Sequence, residues 1–177
     1  MRRQIAALLE QLRQQSEVSL HLGCGQNILP DTLNCDLHNP AAQKSLDSLD
    51  LSEFADASVQ LIEHHHMLEH LSFEQAEQGM REWSRVLAPG GYLAVTCPDL
   101  PAVLRRWLRS GHARRWDYGI RMIYGSQEHP GMFHRSGYDR RRLEDLLQQH
   151  NLDPIFSYAP YPKRTTPSLL VMGQKRG

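Results

Sequence analysis

Short apolar runs that stop at glycine or proline alternate along this chain with segments whose apolar residues recur at steps of three and four. Val18 to Leu22 stops at Gly23-Cys24-Gly25, and Thr32 to Leu37 follows a turn holding Pro30 and Asp31. Val59 to Ile62 runs into Glu63 and three histidines, and Tyr92 to Thr96 ends at Pro98. Between the last two, Ser72 opens a helix: Gln75 stands where a capping box needs it, and Phe73, Ala76, Met80, Trp83 and Leu87 share one face until Pro89-Gly90-Gly91. Leu100, Val103, Leu104, Trp107 and Leu108 give another helical face that runs to Gly111, whereas residues 112 to 137 carry no firm period. A final helix is expected from Tyr138 to about His150, and an amphipathic one over residues 3–15, with Ile5, Leu8, Leu9 and Leu12 on its apolar side. Strands alternating with helices imply an α/β fold with a mainly parallel sheet. Ile155 to Tyr158 and Ser168 to Gly173 are strands with no helix between them, only a loop holding Pro160, Pro162 and Pro167, so they imply an antiparallel hairpin at one edge.

The 177 residues suit one domain spanning 1–177. No run approaches the roughly 18 apolar residues that cross a bilayer, and the opening Met1-Arg2-Arg3-Gln4 lacks the pattern of a signal peptide. A cytoplasmic protein without membrane insertion is expected. Cys24, Cys35 and Cys97 are odd in number and scattered, which supports neither a disulfide framework nor a zinc site; they read as small buried apolar residues. Lysine plus arginine equals aspartate plus glutamate, 20 against 20, yet residues 1–99 hold 6 basic and 14 acidic side chains and residues 100–177 hold 14 and 6. That asymmetry can draw an anion to the second half, or it can be two solvated faces.

Gly23-Cys24-Gly25 ends a strand with a turn that lets a ligand approach the backbone where a Cβ would stand in the way. Asp36 closes the next strand, where a carboxylate can accept from the hydroxyls of a ribose lying across the first strand end. The plainer alternative is a tight turn and a capping aspartate. Spacing separates the possible cofactors. Dinucleotide sites place the acid about 20 residues beyond the glycines, after a full phosphate-binding helix. Here Gly25 and Asp36 are 11 residues apart and position 27 is Asn, which disfavours a nicotinamide oxidoreductase and suits a nucleoside without a pyrophosphate.

Four ordered motifs, LHLGCG, LNCDL, SVQLIEHHHMLEHL and REWSRVLAPGGYLAVTCPDL, resemble class I S-adenosylmethionine-dependent methyltransferases of the type-11-like group over Val18 to Leu100. The remainder, with YGSQEHPGMFHRSGY, is similar more loosely. The resemblance implies a Rossmann-like three-layer sandwich, mainly parallel with an antiparallel C-terminal edge hairpin, with S-adenosyl-L-methionine as cofactor. It implies that Gly23, Cys24 and Gly25 lie under the methionine part of the cofactor, that Asp36 and Leu37 meet its ribose, and that Asp47, Ser48 and Leu49 meet the adenine, with Asp50 as a competing register. His64 and His65 would follow the family's fourth strand at the methyl-donor end. Residues from about 100 to 137 would form the acceptor pocket or lid. The shortened first crossover and the missing third glycine depart from the commoner pattern at the carboxylate-binding contacts.

A sulfonium is an activated methyl donor, so positioning does most of the work. Where the acceptor carries a proton, a base must remove it, and His64, His65, His66, Glu69, His70 and His134 are the candidates. His70, in a Glu-His pair that the family repeats, and His134 are favoured; His129 lies in the same acceptor region. A structural hydrogen-bonded Glu69-His70 pair is the alternative. No metal is expected, because three consecutive histidines cannot all point one way and no HExxH spacing occurs. Arg105, Arg106, Arg109, Arg114 and Arg115 can meet phosphates, but Trp107 and Trp116 among them read as one core residue and one loop residue. Thr96-Cys97-Pro98-Asp99 lacks the pattern of enzymes that methylate nucleic-acid amino groups, which disfavours nucleic acid. The expected function is methyl transfer to a small-molecule or glycan-like acceptor. The alternative is a cofactor-binding module, or a partner subunit that activates another methyltransferase. Neither the acceptor nor the oligomeric state is readable.

Overall fold

The computed structural model describes residues 2–128, 130–158 and 167–177, with no side-chain description at 2, 3 and 130. His129, Pro160 and Pro162 therefore lie outside the described residues. Six strands form one sheet in the order β2-β1-β3-β4-β6-β5. β1 (Ser19–Leu22), β2 (Leu33–Cys35), β3 (Val59–His65) and β4 (Leu87–Pro98) run parallel, and β5 (Leu152–Tyr158) and β6 (Ser168–Lys175) add the antiparallel edge.

Alternation along the strands assigns the two faces. Leu93, Val95 and Cys97 of β4 and Leu169 and Val171 of β6 join Trp83 and Met80 of α2 (Phe73–Val86) and Leu143 and Leu147 of α6 (Arg140–Gln149) in the main core. Their neighbours Ala94, Leu170 and Met172 point the other way, onto Leu9 of α1 (Arg2–Gln15). A buried ion pair fixes that helix further: Arg13 Nη1 lies 2.8 Å from Oε1 of Glu63, which sits on β3.

The capping box forms as the sequence requires, with Ser72 Oγ accepting from Gln75 N at 3.1 Å and Gln75 Oε1 accepting from Ser72 N at 3.0 Å. Among the boundaries that differ from expectation are those of β3 and β4. β3 continues through Glu63 and His64 to His65, and β4 begins at Leu87, so Pro89-Gly90-Gly91 is an irregular stretch within the strand. There the Lys175 ammonium donates to the Leu87 carbonyl and the Gln174 amide donates to the Gly90 carbonyl, which holds this stretch against the neighbouring strand β6.

After α3 (Leu100–Arg109) the segment without period is a chain of short turns: α4 (His112–Arg114), a π-helical turn (Arg115–Gly119) and α5 (Ile120–Tyr124). Trp107 and Trp116 meet edge to face at 6.2 Å instead of occupying separate core and loop environments. No helix among the described residues is long and apolar enough to cross a membrane.

Candidate functional site

Neither of the first two crossovers carries a helix, so the carboxyl ends of β1, β2 and β3 open directly onto a cleft of about 980 Å³. Gly23 and Gly25 both have left-handed backbone, with φ of +61° and +51°. A Cβ on Gly25 would meet nothing within 4 Å, so this glycine faces a hollow, whereas a Cβ on Gly23 would lie 2.6 Å from Cγ of Met67, which fills the space beneath the turn.

Asp36 sits at the turn after β2 and ties the two strand ends together. Its Oδ2 accepts from Gly25 N at 2.8 Å, and its Oδ1 accepts from His38 N and Asn39 N at 2.8 and 2.9 Å. The Asn39 side chain also donates to the Gly25 carbonyl. Partial burial would raise the Asp36 pKa, but the three N–H donors outweigh it and hold the carboxyl below its usual range. A carboxylate has about four acceptor positions, so the one left over, on Oδ2, suits one hydroxyl and not two.

The segment that follows is held from the opposite layer. The Trp83 indole, buried in α2, donates to the Ser48 carbonyl at 2.8 Å, and Arg85 reaches the Leu51 carbonyl at 3.0 Å. Asp47 caps its own turn by accepting from Leu49 N at 2.9 Å. Core packing of α2 thereby positions Asp47, Ser48 and Leu49 along the cleft, which Cys24, Leu37 and His65 also line.

His64 does not join them. Because β3 is extended through His65, alternation turns His64 into the layer beneath α2, where it is fully buried against Trp83 at 4.7 Å between ring centroids. This corrects its placement at the methyl-donor end. Desolvation drives its pKa down to about 3, and neither ring nitrogen has a hydrogen-bond partner. His65, one residue on, points to the other face and pairs with Thr96 Oγ1 at 3.1 Å.

Past β3, His66 takes left-handed backbone at φ +57° and turns the chain into a 3-10 turn, Leu68–His70. Glu69 is buried there; its Oε1 is 3.0 Å from Nδ1 of His66, whose Nε2 is 3.1 Å from Ser168 Oγ. The loop before α6 is stitched to the same turn: Arg135 N and Ser136 N both donate to the Glu69 carbonyl, at 2.8 and 3.2 Å. These backbone bonds bring His134 to His70, with ring centroids 5.0 Å apart. Desolvation lowers the His134 pKa, so its ring is neutral at neutral pH. Both histidines line the cleft with Glu69, Tyr118, Arg121 and Arg135. Met67, the floor of the turn, and His66, the support of Glu69, were not singled out as cofactor contacts; a left-handed residue after a strand leaves no pattern in a single sequence.

The parallel sheet with its C-terminal antiparallel edge and a cleft at the strand ends is a Rossmann-like methyltransferase fold. Residues 20–95 match the family described as methyltransferase domain. The fold is similar to that of a SAM-dependent methyltransferase from Methanosarcina mazei, at TM-score 0.67 and 16% identity over 96% of this chain and 97% of that one. It is also similar to the Burkholderia thailandensis 1,6-didemethyltoxoflavin-N1-methyltransferase, which was solved with 1,6-didemethyltoxoflavin and S-adenosylhomocysteine bound. That likeness has TM-score 0.64 and 15% identity, covering 97% of this chain and 76% of that one. A SAM-dependent methyltransferase from Archaeoglobus fulgidus gives TM-score 0.63 and 11% identity over 99% and 95%. No curated protein matches in sequence.

Proposed function

We propose that residues 1–177 act as one methyltransferase unit that uses S-adenosylmethionine to methylate a small-molecule or glycan-like acceptor. The observation that carries this reading is the coupling of Gly25 to Asp36 beside an open hollow in the same cleft as His70 and His134. The fit to a nucleoside is chemical: a glycine that a Cβ would cap, one free acceptor position on a carboxylate held ionised, and an apolar edge at Leu37 and Leu49.

When bound, the cofactor supplies an activated methyl on a sulfonium. The chain's task is to bind and orient. In this reading Gly23, Cys24 and Gly25 face the methionine part and Oδ2 of Asp36 takes one ribose hydroxyl. Asp47, Ser48 and Leu49 flank the adenine, and His65 borders the donor end. His70 donates from Nδ1 to the Phe133 carbonyl at 3.1 Å, which leaves its Nε2 with a lone pair able to take an acceptor proton. His134, kept neutral by burial, is the second proton-accepting nitrogen. Residues from about 100 to 137 supply the acceptor pocket, where Arg121 and Tyr118 offer polar contacts. Three free, buried cysteines favour a reducing compartment and hence the cytoplasm.

Incubating the chain with methyl-labelled S-adenosylmethionine and a fractionated cell extract tests the proposal. Label is expected in a small-molecule or glycan fraction, with less incorporation by His70→Ala and His134→Ala. A chain that binds S-adenosylhomocysteine but labels no fraction would instead be a cofactor-binding module or an activating subunit.

A further inference from the structure

Glu69, His70 and His134 reach the cleft from the 3-10 turn after β3 and from the loop before α6, and a ligating atom of each lies within 4.8 Å of the others. Each is anchored by an atom outside the trio. Glu69 Oε1 is held by His66 Nδ1, His70 Nδ1 by the Phe133 carbonyl, and the His134 ring by the Met122 backbone. Imidazoles that ligate metals are oriented in this way, with one nitrogen fixed by a carbonyl or carboxylate and the other left for the metal. The remaining atom of the carboxylate gives an independent indication. Glu69 is 2% exposed, yet its Oε2 has no hydrogen-bond partner. A buried carboxylate oxygen without a donor or cation is costly, and the two neighbouring imidazoles, when neutral and donating elsewhere, present it only lone pairs.

We propose that Glu69, His70 and His134 form a site for one divalent transition-metal cation, with imidazole and carboxylate ligands that suit zinc, cobalt or nickel. Donors about 2.1 Å from a tetrahedral cation stand about 3.4 Å apart, so atoms within 4.8 Å of one another must close by at most about 1.4 Å, a rotation of side chains on fixed backbones. Three protein ligands leave the fourth position open to the cleft. A nitrogen that gives its lone pair to a cation cannot accept a proton. If the cleft transfers methyl groups as proposed above, cation occupancy and proton abstraction by His70 or His134 exclude each other, and zinc therefore inhibits transfer. The cation site itself stands on the side-chain geometry and not on that reading.

The test uses the full chain, stripped with a chelator and titrated with Co²⁺ by calorimetry and visible absorption. One Co²⁺ per chain is expected, with the intense bands of four-coordinate cobalt, displaced by Zn²⁺. Glu69→Gln and His134→Asn should each weaken binding at least about tenfold, and His66→Ala, which frees the carboxylate from its anchor, by about 10- to 100-fold. His112→Asn, on the exposed α4, should bind as wild type does. Should a variant fail to melt cooperatively, the wild-type chain gives the answer alone: Zn²⁺ should protect His70 and His134, but not His112, from carbethoxylation. No stoichiometric Co²⁺ binding, binding unchanged in both folded ligand variants, or no protection of these two histidines would overturn the site. Titration with S-adenosylhomocysteine runs separately, so loss of nucleoside binding with cobalt binding intact would refute the methyltransferase reading and leave the cation site standing.

Discussion

Gly25→Ala separates the fold from the function. At φ +51° an alanine must hold left-handed backbone, which costs about 1–2 kcal/mol. Nothing else resists the change, because the new methyl would meet no atom within 4 Å. For a chain of this length about 1 kcal/mol shifts Tm by about 2–4 °C, so a cooperative melt a few degrees below wild type is expected. The same methyl projects into the space assigned to the methionine part of the cofactor. Affinity for S-adenosylhomocysteine, measured by calorimetry, should fall at least about tenfold, or about 1.4 kcal/mol, without further loss of stability. Gly23→Ala provides the contrast. It carries the same backbone strain, and its Cβ would lie 2.6 Å from Met67 Cγ. Displacing a packed side chain adds about 1–3 kcal/mol, so Gly23→Ala should melt below Gly25→Ala. A Gly25→Ala chain with wild-type affinity would refute the argument, since the hollow over the turn would then not hold the ligand.

Two further outcomes follow from groups outside the cleft. His64 is neutral in the fold, with its pKa near 3, but protonates in the unfolded chain below about pH 6.5, so unfolding takes up a proton and stability falls as pH drops through that window. The slope is about 1 kcal/mol per pH unit from this residue, and His64→Leu should flatten it in urea titrations at pH 7 and pH 5 while leaving nucleoside binding intact; an unchanged slope would count against its burial. Arg13→Ala removes one partner of the 2.8 Å pair with Glu63, whose side chain is 1% exposed, and should cost about 3–5 kcal/mol by chemical denaturation; a loss below about 1 kcal/mol would show that α1 is held by its apolar face alone.

Local chemistry made part of this fold readable in the sequence. The capping box at Ser72 and Gln75, the glycine turn after β1 and the two C-terminal strands depend on neighbours within a few residues, and the structure has all three. The 11-residue interval from Gly25 to Asp36 likewise disfavoured a full phosphate-binding helix, and the first crossover carries none. Errors arose where a side chain's direction depends on a boundary. Reading β3 as ending at Ile62 left His64 free to face the cleft, but three more residues of strand send it beneath α2. Meetings made by distant backbone bonds were illegible for a different reason. His134 reaches His70 because Arg135 N and Ser136 N bond to the Glu69 carbonyl, and no periodicity records such a pairing. Attention to the three consecutive histidines also hid the gathering of Glu69, His70 and His134, because His134 lies 64 residues beyond the Glu69-His70 pair.

Calorimetric titration of S-adenosylhomocysteine into wild-type protein and into Asp36→Ala tests the nucleoside site most directly. One molecule bound per wild-type chain is predicted, with affinity lost or reduced at least about tenfold in an Asp36→Ala protein that still melts cooperatively, because the last acceptor position on Oδ2 is gone. No binding to wild type, or equal binding by the two proteins, would contradict the account.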